Sequence, residues 1–175
     1  MLIGIFGDMG SGKTLYMTYY TLKYYVEDKL YERAFANYHI KSPNKKRPVE
    51  LLTFEAFKAL GKTSEALVCL DEAYIWLDSR MSGTKRNRQI SYLVLQSRKR
   101  GFDIAYTAQA QSSIDLRMRR FTEIKVLAEK RENGFKYVEL FGNKVRERFL
   151  PFKQAEKIYP YYDTKEIVDF GKLMD

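Results

Sequence analysis

An α/β fold built on a mainly parallel sheet flanked by helices is what this 175-residue sequence predicts, and three observations carry that expectation. An apolar run, Leu2-Ile3-Gly4-Ile5-Phe6, leads directly into the glycine-rich loop Gly7-Asp8-Met9-Gly10-Ser11-Gly12-Lys13-Thr14. Leu15, Tyr19, Leu22 and Val26 then recur at the spacing of one helical face. A second run, Ala66-Leu67-Val68-Cys69-Leu70, is apolar without polar alternation, as suits a parallel strand covered on both faces. Strand and helix patterns alternate through residue 106, which argues for right-handed crossovers onto one sheet.

The remaining elements follow in order. Residues 34–40 read as a short strand, and residues 41–48, with two prolines and four basic residues, as an exposed loop. Thr53 is placed to cap a short helix carrying Phe54, Phe57 and Leu60. After the strand at 66–70, residues 87–100 read as a helix with Ile90, Leu93, Val94 and Ser97 on one face, and residues 102–106 as the next strand. From about residue 122 the pattern changes to three strands, 123–129, 135–141 and 145–149, separated by the hairpin signals Glu132-Asn133-Gly134 and Gly142-Asn143. The tail, 151–175, carries Tyr159-Pro160-Tyr161-Tyr162-Asp163-Thr164 and a short helical stretch from Lys165. With no low-complexity linker, residues 1–175 read as a single domain, with a core over about 1–130 and a hairpin and tail over about 131–175.

Composition narrows the partners. An apolar fraction of 45% with four prolines argues for a folded chain. Lys and Arg number 31 against 22 Asp and Glu, a net charge of +9 that suits a polyanionic partner. The single cysteine, Cys69, lies in an apolar run and reads as a small core residue in a reducing compartment. His39, the one histidine, has no neighbouring ligand pattern, which argues against a structural zinc site. No run of eighteen apolar residues is present, so no membrane segment is expected.

The loop at 7–14 matches G-x-x-x-x-G-K-[ST], the phosphate loop, and makes nucleoside triphosphate binding the central expectation. Its glycines let backbone amides curl around an anion at the positive end of the following helix. Lys13 reaches the β- and γ-phosphates, and the Thr14 hydroxyl is suited to Mg²⁺. The strand at 66–70 then runs into two acids. Asp71 at its end would hold the Mg²⁺ shell, and Glu72 would polarise the water that attacks the γ-phosphate. Gln109, just beyond the strand at 102–106, is an amide placed to sense that phosphate. Arginines at 98, 100, 117, 119 and 120 are candidates for a cation contributed by a neighbouring subunit. A guanine-specific Asn-Lys-x-Asp stretch is absent.

Gly7 to Thr14, Leu67 to Glu72 and Ile104-Ala105-Tyr106-Thr107-Ala108-Gln109, the last preceded by Arg98-Lys99-Arg100-Gly101, together resemble the FtsK-HerA superfamily of DNA-pumping ATPases. The similarity spans roughly residues 1–130. It is greatest to the small members, the genome-packaging ATPases of archaeal and bacterial viruses and the related zonula occludens toxin-like assembly ATPases of filamentous phages. The resemblance implies a RecA-like sheet with a strand between the two that carry the phosphate loop and the acidic pair. It further implies an ATP- and Mg²⁺-dependent motor, assembled as a pentameric or hexameric ring around double-stranded DNA. Such a motor would work in the host cytoplasm, and at the viral capsid with a capsid or portal component. By resemblance Lys13, Thr14, Asp71, Glu72 and Gln109 take the family's catalytic and sensor positions, and Arg98, then Arg100, that of the arginine acting in trans. The toxin-like branch usually carries a transmembrane helix, so its absence leans the reading toward packaging. An assembly or secretion ATPase with protein cargo shares every one of these residues and stays open. A nucleotide kinase also stays open, although no lid rich in phosphate-gripping arginines can be placed.

Overall fold

The structure is a computed structural model and describes residues 1–53, 55–56, 60, 65–77, 94, 97, 99, 101–166 and 168. Its strands are β1 (Leu2–Phe6), β2 (Arg33–Ala36), β3 (Val49–Leu51), β4 (Ala66–Leu70), β5 (Phe102–Ala108), β6 (Ile124–Arg131), β7 (Gly134–Phe141) and β8 (Lys144–Pro151). The α-helices among the described residues are α1 (Lys13–Thr21), α2 (Tyr74–Leu77), α3 (Leu116–Phe121) and α4 (Phe152–Ala155), with a π-helical continuation of α1 over Leu22–Glu27 and 3-10 turns at Gln111–Ser113 and Tyr159–Tyr161. One sheet takes all eight strands in the order β3-β2-β4-β5-β1-β6-β7-β8. Every pairing from β3 to β6 is parallel, while β7 and β8 add antiparallel. This is the expected α/β architecture with a hairpin extension.

The position of β5 matters most for function. It lies between β1 and β4, in register Phe6↔Ala108 on one side and Leu70↔Tyr106 on the other. Gly7, Asp71 and Gln109 therefore emerge from one carboxyl edge of the sheet, where α/β folds place their ligands. Buried side chains lock this centre. Every residue of β1 and β4 is buried, and alternate residues feed two cores. Ile3, Ile5, Leu67 and Cys69 pack on the side of α1, and Leu2, Phe6, Val68, Leu70 and Met118 on the other. Burying an aliphatic side chain of this size contributes about 1.5–3 kcal/mol, and burial pushes the Cys69 thiol up to about 12, so it is the inert core residue expected.

The helix α1 is buried over more than the single stripe its sequence suggests. Leu15, Leu22 and Val26 are buried as expected, but so are Tyr16, Met17, Thr18 and Thr21. Thr18 and Thr21 face the sheet, the Thr18 hydroxyl 3.0 Å from that of Tyr38 and the Thr21 hydroxyl 3.1 Å from Cys69 Sγ, while Tyr16 and the half-buried Tyr19 are covered by the hairpin. The Tyr16 hydroxyl donates to Glu139 at 2.9 Å, its ring lies 4.8 Å from that of Tyr137, and Arg148 donates to the Tyr19 hydroxyl at 2.7 Å.

Several boundaries differ from expectation. The strand expected at 34–40 ends at Ala36, because Asn37 turns its side chain to the neighbouring acidic loop, and Ile40 rejoins only as a single bridge to Tyr162. The three-residue β3 was not expected. Thr53 does cap, its hydroxyl accepting from the Ala56 N–H at 3.0 Å. Most of the helix expected at 87–100 lies outside the described residues; Val94 and Ser97 are buried. β6 starts one residue after its expected start and runs two beyond its expected end, β7 starts one residue early and ends as expected, and β8 extends one residue before and two after, with turns at 132–133 and 142–143. Around Lys165 the chain makes a turn at 164–165.

Candidate active site

Geometry explains the glycines at the two ends of the loop. Gly7 has φ +153°, and a Cβ there would lie 2.2 Å from the Ala128 carbonyl oxygen. Gly12 has φ +88°, and a Cβ would meet Phe135 at 2.6 Å and the Tyr137 hydroxyl at 2.8 Å. That hydroxyl donates to the Gly12 carbonyl at 3.0 Å. Strands β6 and β7 thus brace the loop from behind, which gives the hairpin extension a part in shaping the site. Lys13 closes the loop across its mouth, its ammonium donating to the Gly7 and Asp8 carbonyls at 2.9 and 2.8 Å. Burial lowers the Lys13 pKa, opposed by the charges of Asp71, Glu72 and Asp8. Met9 stands at the loop tip, 84% exposed.

The acidic turn is tied to this loop and to both neighbouring strands. Thr14 Oγ1 donates to the Asp71 carboxylate, 3.1 and 3.0 Å from its two oxygens, and the buried Thr107 hydroxyl donates to Asp71 Oδ1 at 2.6 Å. Thr107 Oγ1 also accepts from the Glu72 N–H at 2.9 Å, and its carbonyl from the Ala73 N–H at 2.9 Å. Just past β2, Asn37 brackets the backbone of Asp71, accepting from its N–H at 2.7 Å and donating to its carbonyl at 2.8 Å. These bonds hold Glu72 at φ +49°, a left-handed conformation that a non-glycine residue adopts at a cost of about 1–2 kcal/mol. Burial pushes the Asp71 carboxyl above its usual range; the Thr107 and Thr14 hydrogen bonds pull it back, Glu72 pushes it further up and Lys13 lowers it. Tyr74 is pushed up by burial and then by the Glu72 carboxylate beside it.

Lys13, Thr14, Asp71, Glu72 and Gln109 line one cleft of about 650 Å³, a volume in the range of small-molecule sites. Gln109 is exposed on its wall. Arg98 and Arg100 lie outside the described residues. A hydroxyl and a carboxylate in direct contact beside an ammonium fit Mg²⁺, which takes few protein oxygens and completes its shell with water and phosphate. Among the described residues no group of three or more His, Cys, Asp or Glu side chains forms a metal cage. Asn37 and Tyr74 were not read from the sequence as site residues, and Thr107 was read only as part of a strand end. Their one signal is a polar or aromatic residue placed where a strand meets the ligand edge.

The family model for zonular occludens toxin (Zot) matches residues 32–145, more than half of the chain. The chain belongs to the Zot family. That match takes in the acidic turn and Gln109 and begins beyond the phosphate loop. The fold is similar to the N-terminal domain of zonular occludens toxin from Neisseria meningitidis, with TM-score 0.64, 18% identity, and 93% of this chain and 98% of that one covered. It is also similar to the genome packaging NTPase B204 from Sulfolobus turreted icosahedral virus 2, solved in complex with ATP-gammaS. There the TM-score is 0.62 and the identity 12%, over 86% of this chain and 96% of that one. EssC (ATPases 2 and 3) from Geobacillus thermodenitrificans matches with TM-score 0.55 and 13% identity, over 90% of this chain and 43% of that one. No curated protein sequence matches. These likenesses establish the P-loop NTPase fold for this Zot-family chain. Among its described residues no helix is long and apolar enough to cross a membrane.

Proposed function

We propose that this Zot-family chain is an ATP-hydrolysing motor that moves double-stranded DNA, as in loading a viral genome into a capsid. The observation that carries the reading is the direct tie between the two halves of the site, Thr14 Oγ1 to Asp71 at 3.0 Å, with Glu72 presented to the same cleft. Lys13 binds the β- and γ-phosphates of ATP. Thr14 and Asp71 would hold Mg²⁺, which when bound neutralises charge on the phosphate oxygens. Water attacks the γ-phosphorus, the bond to the ADP oxygen breaks, and Glu72 takes the proton from the water. Gln109 orients the γ-phosphate. Arg98, or Arg100, of an adjoining subunit stabilises the charge that spreads over the transferring group, so the site is completed by a neighbouring copy, as in the pentameric or hexameric ring that the resemblance implies.

The net charge of +9 supports a polyanionic cargo held without sequence readout. The test is phosphate release from MgATP by concentrated protein, with and without long duplex DNA, across a salt series. Stimulation that fades as salt rises is expected; no DNA binding or stimulation at low salt overturns the DNA reading. Membership of the Zot family favours a second reading, a virion-assembly ATPase with protein cargo. Turnover that responds to a purified virion protein and not to duplex DNA would select it.

A further inference from the structure

The cleft extends beyond the phosphate machinery. One wall is built by residues 159–166 of the C-terminal segment, among them Tyr159, Tyr162, Asp163, Thr164 and Glu166. This stretch is strapped to the chain just past β2. Tyr162 bridges Ile40, the Lys41 N–H donates to the Tyr161 carbonyl at 2.7 Å, and Glu166 takes the His39 N–H at 2.9 Å while lying 2.6 Å from His39 Nδ1. Inside the strap, the rings of Tyr159 and Tyr162 lie 6.3 Å apart, and Asp163 Oδ1 accepts from the Lys165 N–H at 2.8 Å.

The two ends of the cleft differ in chemistry. Among the described residues that line it, Lys13 is the one cation, and it belongs to the phosphate end. Asp71 and Glu72 stand beside Lys13, where Mg²⁺ would offset their charge; the strap residues offer aromatic rings and two acids with no lining cation beside them. Of the strap's two tyrosines that line the cleft, Tyr162 is buried and Tyr159 half-buried, so the Tyr159 ring is the strap face left to a ligand; the half-buried Tyr74 stands beside Glu72 instead. Asp163 and Glu166 repel phosphate, whereas a neutral heteroaromatic base suffers no such penalty and stacks on a phenol ring through either of its faces. The exposed Asp163 carboxylate and Thr164 hydroxyl accept hydrogen bonds from sugar hydroxyls. This polarity aligns a nucleotide along the cleft, with triphosphate at Lys13 and nucleoside at the strap.

We propose that residues 159–166 form the nucleoside subsite of this cleft, with Tyr159 stacking on the base and Asp163 and Thr164 receiving the ribose hydroxyls. The proposal rests on the nucleotide-binding reading above, and two ligands separate the two ideas. Isothermal titration calorimetry would give dissociation constants for MgATP and for magnesium tripolyphosphate with wild type, Tyr159→Ala and Tyr159→Phe. Tyr159→Ala is expected to weaken MgATP by roughly tenfold, the loss of one base–aromatic stack, and to leave tripolyphosphate unchanged. Tyr159→Phe keeps the ring and is expected to match wild type with both ligands. Unchanged MgATP affinity in Tyr159→Ala overturns the subsite, as does an equal loss with both ligands, which would make Tyr159 a packing residue only. Wild type that binds MgATP no more tightly than tripolyphosphate also overturns the subsite while leaving phosphate binding intact. Wild type that binds neither ligand removes the nucleotide reading itself, and the subsite with it.

Discussion

Thr107→Val is the substitution that most sharply probes how the acidic turn is held. Valine matches threonine in shape, fills the same fully buried space between β1 and β4, and lacks only the hydroxyl. That hydroxyl makes two bonds, donating to Asp71 Oδ1 at 2.6 Å and accepting from the Glu72 N–H at 2.9 Å. The first is a hydrogen bond to a carboxylate that burial already disfavours, and such bonds contribute about 1.5–3 kcal/mol. The second leaves a partly buried amide without an acceptor, at a cost that water access to the turn reduces. Together roughly 2–4 kcal/mol of folding stability is lost, which lowers Tm by about 4–16 °C in a chain of this size. Thr107 touches the acids and no part of the phosphate loop, so kcat for ATP falls while KM holds. Urea unfolding and steady-state phosphate release measure both effects. A variant as stable as wild type, or one that loses KM and keeps kcat, would refute the assignment of Thr107 as the residue that positions both acids.

Two further expectations follow from the same geometry. Gly12→Ala forces a side chain into left-handed backbone and against Phe135 and Tyr137, costing about 2–4 kcal/mol; urea unfolding reads the loss, and calorimetry with tripolyphosphate should show phosphate binding abolished. Asp71 gives a pH signature. Its folded pKa is raised, so between the ordinary carboxylate pKa and that higher value the native state keeps a proton the unfolded chain has lost. Its contribution to stability therefore falls as pH rises through that window. Asp71→Asn removes the fall: in ligand-free protein the variant gains stability over wild type from about pH 4 upward, read as urea midpoints across pH, yet it loses Mg²⁺-dependent nucleotide hydrolysis. A constant stability difference across pH would show that Asp71 is not the group responsible.

The parts of the fold carried by contiguous residues were legible. β4 is an unbroken apolar run because both its faces are covered, and the phosphate loop needs eight successive residues that no other structure requires in that order. Gly142-Asn143 marks its hairpin because the turn needs φ above zero, and Gly142 has φ +55°. What stayed hidden depends on partners distant in sequence. Asn37 and Thr107 are ordinary polar residues until β2, β4 and β5 end side by side. β3 is three residues long and pairs on one side only, too little for strand propensity to register. The burial of Tyr16 on α1 comes from Tyr137 and Glu139 on a strand more than a hundred residues later. The tyrosines of the tail gain a role only because the Ile40 bridge lays them over the cleft.

The central claim, hydrolysis of ATP at the junction of phosphate loop and acidic turn, is tested most directly by comparing phosphate release from MgATP by wild type and Glu72→Gln at equal nucleotide occupancy, with the protein concentrated enough to assemble. Glutamine keeps the shape and cannot take the proton of the attacking water. The account predicts unchanged ATP binding and a turnover reduced by about 10²–10⁴-fold. Wild-type turnover in the variant would contradict it.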